Sequence, residues 1–284
     1  PGRPLGRPRI RGFGRVLDFL CLPRLQVKTH MNSSQARTHA WITGASSGLG
    51  AALANSYSAD GAQVALTARS RDRLDACAAA LPTPGNGSVH PADVTRRDEL
   101  SDAISAIENT APIDLAILNA GTYTPTSLDE WNTASIRDLF ETNFFSVTTS
   151  IELLLPYMRA RGRGHIAVVA SVAGDIGLPY AASYSASKAA LNRICQSLRP
   201  ELEREGIRIS VINPGFVRTP LTSLNTFPMP FLIDADRAAN IIRDKLARGH
   251  FEIRFPWRMS VAMRLLAALP PSLTLLLTRR MLRQ

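Results

Sequence analysis

The stretch from Ala40 to Ala59 constrains the fold more than any other part of the chain. Ala40-Trp41-Ile42-Thr43 reads as a short buried strand, and Ala51 to Ala59 as a helix. Between them lies the turn Gly44-Ala45-Ser46-Ser47-Gly48-Leu49-Gly50. Glycines let a backbone come close to a pyrophosphate, and the amides of a helix N-terminus favour its charge. Glycine triplets are common in ordinary turns. Here the strand before and the helix after are both in place, so a dinucleotide phosphate site is the stronger reading. The spacing is Gly-x-x-x-Gly-x-Gly and departs from the commoner Gly-x-Gly-x-x-Gly.

A strand–turn–helix unit of this kind needs parallel strands beside it, and the chain supplies them. Gln63 to Arg69 reads as a second strand. The helix Arg71 to Leu81 follows and is broken by Pro82-Thr83-Pro84-Gly85-Asn86-Gly87. Ser88 to Asp93 is a third strand and Asp98 to Ile107 a helix. Asp114 to Asn119 is a fourth strand, running into Asn119-Ala120-Gly121. Ser135 to Met158 is predicted to be one long amphipathic helix containing Asn143. His165 to Ala170 is a fifth strand ending at Ser171, and the helix Ser183 to Glu205 comes next. Ile207 to Ile212 is a sixth strand, closed by Asn213-Pro214-Gly215. Residues 216–232 form an apolar loop read as a lid, Asp234 to Arg248 a helix and Phe251 to Phe255 a last strand. Strands alternating with helices imply one parallel sheet covered on both faces, with ligands at the carboxyl ends of its strands. Ser171, Asn119-Ala120-Gly121 and Pro214-Gly215 all follow such ends.

Individual residues at these ends suggest roles. At the end of the second strand a carboxylate would bind a ribose 2′-hydroxyl, and an arginine would accept a 2′-phosphate. Ala68 stands where the acid is sought and Arg69 comes next, which favours NADP over NAD; the bland reading of Arg69 is a solvated charge. Asp93 with Val94 could contact an adenine, or Asp93 could cap the following helix. Tyr184 and Lys188 are four apart and share one helix face. A nearby ammonium favours the phenolate, and such a pair can pass a proton to or from an alcohol or ketone. By itself the pair is weak, since a half-buried aromatic beside a solvated charge is common.

The ordered set Thr43-Gly44-x-x-x-Gly48-x-Gly50, Asn119-Ala120-Gly121, Asn143, Ser171, Tyr184-x-x-x-Lys188 and Pro214-Gly215 resembles the short-chain dehydrogenase/reductase family over about residues 40–256. The resemblance implies an α/β, doubly wound Rossmann-type parallel sheet in a single domain. It implies an oxidoreductase moving a hydride between NADP(H) and a carbonyl or secondary alcohol. Tyr184 would be the general acid/base, and Lys188 would bind the nicotinamide ribose and lower the tyrosine pKa. Ser171 would hydrogen-bond the substrate oxygen and Asn143 hold a water in the proton relay. Gly44, Ser46, Ser47, Gly48, Leu49 and Gly50 would line the pyrophosphate. Arg69, Asp93, Val94, Asn119, Ala120 and Gly121 would serve the adenosine side and the floor of the site. Pro214, Gly215, Val217 and Thr219 would hold the nicotinamide end. Leu118 stands where many members carry another asparagine, and Ser47 where NADP users often carry a base. A homodimer or homotetramer through the helices of Asn143 and Tyr184 is implied as well. A cofactor-binding sensor or scaffold without turnover is the alternative, which the Ser171, Tyr184 and Lys188 set disfavours.

Charge sets the outer segments apart. The net charge of +10 is carried by residues 1–30, with seven bases against Asp18, and by residues 257–284, with five arginines and no acid. The body is near neutral, which excludes a basic nucleic-acid surface. The organisation expected is a basic, disordered segment 1–37, a dehydrogenase domain 38–256 and an apolar, basic helical extension 257–284. Met31 is the expected natural start, with a basic arm or transit peptide as the alternative reading of 1–30. The apolar runs of both ends are too short to span a bilayer. The extension is read as two short helices covering the pocket or a subunit contact, or else as a peripheral membrane contact. Cys21, Cys77 and Cys195 are isolated and the histidines show no ligand spacing, so neither disulfides nor a metal is expected, and the compartment is a reducing cytoplasm. Phe227, Met229, Phe231 and Leu232 of the lid suggest a lipophilic small-molecule substrate.

Overall fold

In the computed structural model, which describes residues 38–225 and 227–282, the chain alternates strand and helix throughout. It runs β1 (His39–Thr43), α1 (Gly48–Ala59), β2 (Gln63–Thr67), α2 (Arg71–Ala79), β3 (Gly87–Val89), α3 (Arg97–Thr110) and β4 (Leu115–Leu118). Next come α4 (Thr133–Phe140), a π-helical turn (Glu141–Phe145), α5 (Ser146–Arg161), β5 (Gly164–Val169), a 3-10 turn (Val172–Gly174) and α6 (Ala182–Arg204). The chain closes with β6 (Ile207–Pro214), β7 (Val217–Arg218), a second 3-10 turn (Thr222–Leu224), β8 (Ile233–Asp234), α7 (Ala235–Ala247), β9 (Glu252–Phe255), α8 (Trp257–Ala268) and α9 (Pro271–Arg279). The expectations for residues 1–37, a disordered arm with a start at Met31, lie outside the described residues.

Seven strands pair in parallel in the order β3-β2-β1-β4-β5-β6-β9. The chain first builds outward from β1 to β3 and then returns to lay β4 on the other side of β1. The order therefore reverses between β1 and β4, and a crevice opens outside their carboxyl ends. Side-chain alternation fills both faces. Ala40 and Ile42 of β1 join a core with Leu53, Leu74 and Ile242 from α1, α2 and α7. Trp41 points the other way, among Leu100, Ile104, Leu154 and Leu191 from α3, α5 and α6. A strand buried on both faces must be largely apolar, which is why Ala40-Trp41-Ile42 of β1 and the whole of β4 read as apolar runs. Each leucine or isoleucine among them, fully buried, contributes about 1.5–3 kcal/mol.

Four departures from the sequence reading matter for the site. The helix expected from Ser135 to Met158 is two helices joined by the π-helical turn that carries Asn143. It also begins earlier, because Asn132 Oδ1 caps α4 by accepting from the amides of Ala134 (2.8 Å) and Ser135 (3.4 Å). β2 and β3 stop at Thr67 and Val89, so Ala68, Arg69, Asp93 and Val94 lie in the loops beyond them. β6 is longer than expected, because Asn213 and Pro214 find partners in Arg254 and Phe255 of β9. Finally, α3 takes Arg96 as its N-cap, so Asp93 does not cap it.

Candidate active site

A cleft of about 1180 Å³ opens at the reversal of strand order. It runs from the glycine turn, past the ends of β2 and β4, to Tyr184 and the 215–222 segment. Among its lining residues are Gly44, Ser46, Ser47, Gly48, Leu49, Arg69, Asp93, Val94, Asn119, Ala120, Gly121, Ser171, Tyr184, Lys188, Pro214, Gly215, Val217 and Thr219. Two residues read from the sequence lie behind the wall instead: Gly50 and Asn143.

The glycine turn explains Gly50. Gly44 and Gly48 hold left-handed backbone, with φ of +66° and +54°, where a side chain is strained. Gly50 is in the first turn of α1, and a Cβ on it would stand 2.2 Å from the Gly44 carbonyl oxygen. Its role is to let the helix close down on the turn. Thr43 does related work that the sequence reading did not assign. Its Oγ1 accepts from the amides of Asn119 and Ala120, both at 3.0 Å, across the crevice. The Asn119 side chain returns the contact by donating to the Thr43 carbonyl at 3.0 Å. Asn119 thus ties β1 to the end of β4 while lining the cleft.

At the end of β2, Arg69 shares the wall with Ser70 and Arg73. Arg73 was not among the residues read from sequence. It reaches the turn, donating to the Ser46 carbonyl at 3.4 Å. The signal was its spacing: Arg73 is four residues past Arg69 and in the first turn of a helix that starts at the cleft. Asp93 sits close by and accepts from the Thr95 amide (2.9 Å) and hydroxyl (2.8 Å). Burial raises its carboxyl, but the Thr95 bonds and the charges of Arg69 and Arg96 outweigh this and hold it below its ordinary 3.8.

At the other end, Ser171, Tyr184 and Lys188 come together from β5 and α6. The Ser171 hydroxyl accepts from the Ala173 amide at 3.1 Å, which fixes it at the head of the 3-10 turn. Tyr184 shares a hydrogen bond with it and meets Tyr123 edge-on, ring centroids 5.0 Å apart. Burial pushes the Tyr184 phenol above 10.0, the Ser171 bond pulls it down, and Tyr123 adds to the rise. The lowering expected from Lys188 does not appear: the one influence that lowers the phenol is Ser171, and burial leaves it above its ordinary value. Lys188 itself is buried, donates to the Val169 carbonyl at 2.9 Å, and is pushed down to about 8 by that burial. Asn143 is wholly buried beneath Gly121. Its Oδ1 accepts from the Thr122 amide (2.7 Å), and its Nδ2 donates to the Thr122 carbonyl (3.0 Å) and to Ser187 Oγ (3.2 Å). The π-helical turn is what turns this side chain inward, and such turns recur at functional sites.

A partly buried ion-pair cluster backs the 3-10 turn. Arg254 of β9 pairs with Asp175, just after that turn, and with Glu252 at 2.9 Å, and it donates to Ser260 of α8 at 2.7 Å. Gly174 packs on α6 so closely that a Cβ would stand 2.8 Å from the Ala189 amide. The lid is used differently from the expectation. Thr219, Pro220, Leu221 and Thr222 line the cleft, whereas Phe227, Met229, Phe231 and Leu232 do not. Phe227 packs on Phe216 instead, centroids 5.9 Å apart.

The cleft therefore joins an amide-rich glycine turn, two arginines beyond the end of β2, and a Ser–Tyr–Lys group. Gly121 leaves space beside Asn143 and Lys188 that a Cβ would enter, at 3.2 Å from Asn143 Oδ1 and 3.5 Å from Lys188 Nζ. These residues fit an extended nicotinamide dinucleotide, and fold and site together define a nicotinamide-linked α/β oxidoreductase. A sequence profile described as short chain dehydrogenase matches residues 38–226. The chain belongs to the short-chain dehydrogenase/reductase family, whose members bind a nicotinamide cofactor and act on small molecules. It is 37% identical to an uncharacterized oxidoreductase of Myxococcus xanthus over 234 residues, 81% of this chain and 92% of that one. It is 36% identical over 178 residues to a ketoacyl reductase of Nostoc, 62% of each chain. A crystal structure of a short-chain dehydrogenase from Streptomyces avermitilis superposes with a TM-score of 0.72 at 27% identity, covering 81% of this chain and 91% of that one. Among the described residues no helix is long and apolar enough to cross a membrane, and no three His, Cys, Asp or Glu side chains come together as metal ligands would.

Proposed function

We propose that the protein is an NADP(H)-dependent reductase of a carbonyl on a largely apolar body, run in reverse as a secondary-alcohol dehydrogenase. The single observation that carries this is the convergence of Ser171, Tyr184 and Lys188 on one end of a cleft whose other end is Arg69 and Arg73. A nicotinamide, when bound, supplies or accepts the hydride. The chain's own residues do the rest. Tyr184 gives its phenolic proton to the substrate oxygen as negative charge grows there, and Ser171 donates a second hydrogen bond to the same oxygen. Lys188, with a pKa of about 8, can return a proton to Tyr184 near neutral pH. Asn143 acts by holding Thr122 and Ser187, and so the floor under Gly121.

Arg69 and Arg73, with Ser46, Ser47 and Ser70 around them, offer charge and hydrogen bonds to a 2′-phosphate, in place of the carboxylate an NAD site would use. Ile136, Leu139, Pro220 and Leu221 supply an apolar wall for the substrate. The name of the Nostoc relative makes ketoacyl compounds one class to try. In a cytoplasm kept supplied with NADPH, reduction is the working direction. Pairing of copies through α5 and α6 is part of the proposal, and Phe145 and Tyr157 on that side are partly exposed. A silent cofactor binder has no use for a proton donor aimed into its cleft. Oxidation of NADPH, and separately NADH, against a panel of ketones, aldehydes and ketoacyl thioesters tests the reading, alongside fluorescence titration of both cofactors. Binding without turnover on any carbonyl would favour the silent binder, and no binding of either cofactor would end both readings.

A further inference from the structure

We propose that the outer face of α8 and α9, with Phe231, docks the protein on an anionic lipid surface. The inner face of α8 is anchored. Ser260 and Met263 are buried, Arg254 donates to Ser260, and a Cβ on Gly215 would stand 2.6 Å from Met259 Sδ. The opposite face is apolar and open. Trp257, Val261 and Leu265 recur every four residues on α8, and Trp257 is 69% and Leu265 65% exposed. On α9, Leu273, Leu275 and Leu276 are exposed as well, Leu275 by 68%. A face held this firmly and left this apolar marks a contact site.

The charges on the same helices say what the contact is. Arg258, Arg264, Arg279 and Arg280 lie on or beside them, and residues 257–284 hold no Asp or Glu. Arg264 is taken up by Glu252, but among the described residues Arg258, Arg279 and Arg280 make no salt bridge. Arg258 lies over the rings of both Trp257 (5.5 Å) and Phe231 (5.9 Å), so the loop before β8 joins the surface. Tryptophan, leucine and arginine interleaved on short helices, with no acid, match the headgroup region of an anionic bilayer. A second copy meeting this face about a two-fold axis would set the arginines against their own kind. A nucleic acid would engage the arginines and leave the leucines in water. Phe231 belongs to the same loop as the cleft-lining Thr219–Thr222, so docking brings that edge of the cleft toward the lipid.

The test is cosedimentation of the full chain with phosphatidylcholine vesicles, with and without phosphatidylglycerol. Because residues 1–30 are also basic, binding counts only where it responds to substitutions on α8 and α9. Binding is expected only to the anionic vesicles. It should weaken roughly fivefold for each of Arg279→Gln and Arg280→Gln, and at least tenfold for the pair Leu265→Glu and Leu276→Glu. Cofactor titration and circular dichroism confirm that each variant is folded. The proposal is overturned if the full chain does not sediment with anionic vesicles, or if it sediments equally well with all these substitutions. It is also overturned if Leu265→Glu converts an oligomer to a monomer while vesicle binding is absent, since the face would then belong to a second copy.

Discussion

The Lys188 ammonium lies over the Tyr184 ring, 5.7 Å from its centroid, while donating to the Val169 carbonyl at 2.9 Å. The end of β5 thereby holds the lysine, and the lysine helps fix the face of the tyrosine. The phenol is left to share its hydrogen bond with Ser171. If Tyr184 is the proton donor, Tyr184→Phe should keep cofactor affinity and lose at least about a hundredfold in turnover. Steady-state rates beside a cofactor titration check this. A variant turning over near the wild-type rate would remove Tyr184 from the chemistry.

Lys188 also predicts a pH dependence of stability. In the folded chain it titrates near about 8, against 10.5 unfolded. Between those values the unfolded chain holds more protons, so stability rises with pH across this window. Relative to Lys188→Met, the wild type should gain up to about 3 kcal/mol between pH 8 and pH 10.5. Urea unfolding of both proteins along this pH series measures the difference, and parallel curves would contradict the shift.

Arg69 and Arg73 should decide which dinucleotide binds. Replacing both with alanine is expected to weaken NADPH at least about tenfold, a loss of one charge-assisted contact or more, and to leave NADH nearly unchanged. Fluorescence titration of the two cofactors reads this directly. Equal weakening of both would mean that the arginines serve the pyrophosphate or the fold.

Arg254 should be a stability residue with a path to the site. Arg254→Leu leaves Asp175 partly buried without its partner and Glu252 with Arg264 alone, and should cost about 3–5 kcal/mol. Arg254→Lys should recover only part of this, since it cannot span both carboxylates as a planar fork. Denaturant midpoints of the three proteins give the order expected: wild type, then lysine, then leucine.

Gly50→Ala is expected to abolish cofactor binding while the rest of the domain still folds. The added Cβ cannot share space with the Gly44 carbonyl at 2.2 Å, and the first turn of α1 must move off the glycine turn. Near-native cofactor affinity in a folded variant would show that the turn can relax around a side chain.

Much of this protein is written locally. The apolar runs of β1 and β4, the glycine turn and the alternation of periods follow from side-chain size and backbone freedom within a few residues. They were enough for an α/β doubly wound sheet and for the positions of Ser171, Tyr184 and Lys188 at strand ends and on one helix face. Tertiary structure decided what depends on residues far apart. Asn143 faces inward only because a π-helical turn places it under Thr122 and Ser187, and no spacing within one helix announces that. Thr43 became a clasp only when β4 came to lie beside β1. The lid's aromatic residues turned away from the cleft because Phe216 and Arg258 give them partners outside it. Hydrogen bonds and packing contacts of this kind are made across 11 to 76 residues of chain, and their energies depend on the folded neighbour that a local pattern cannot name.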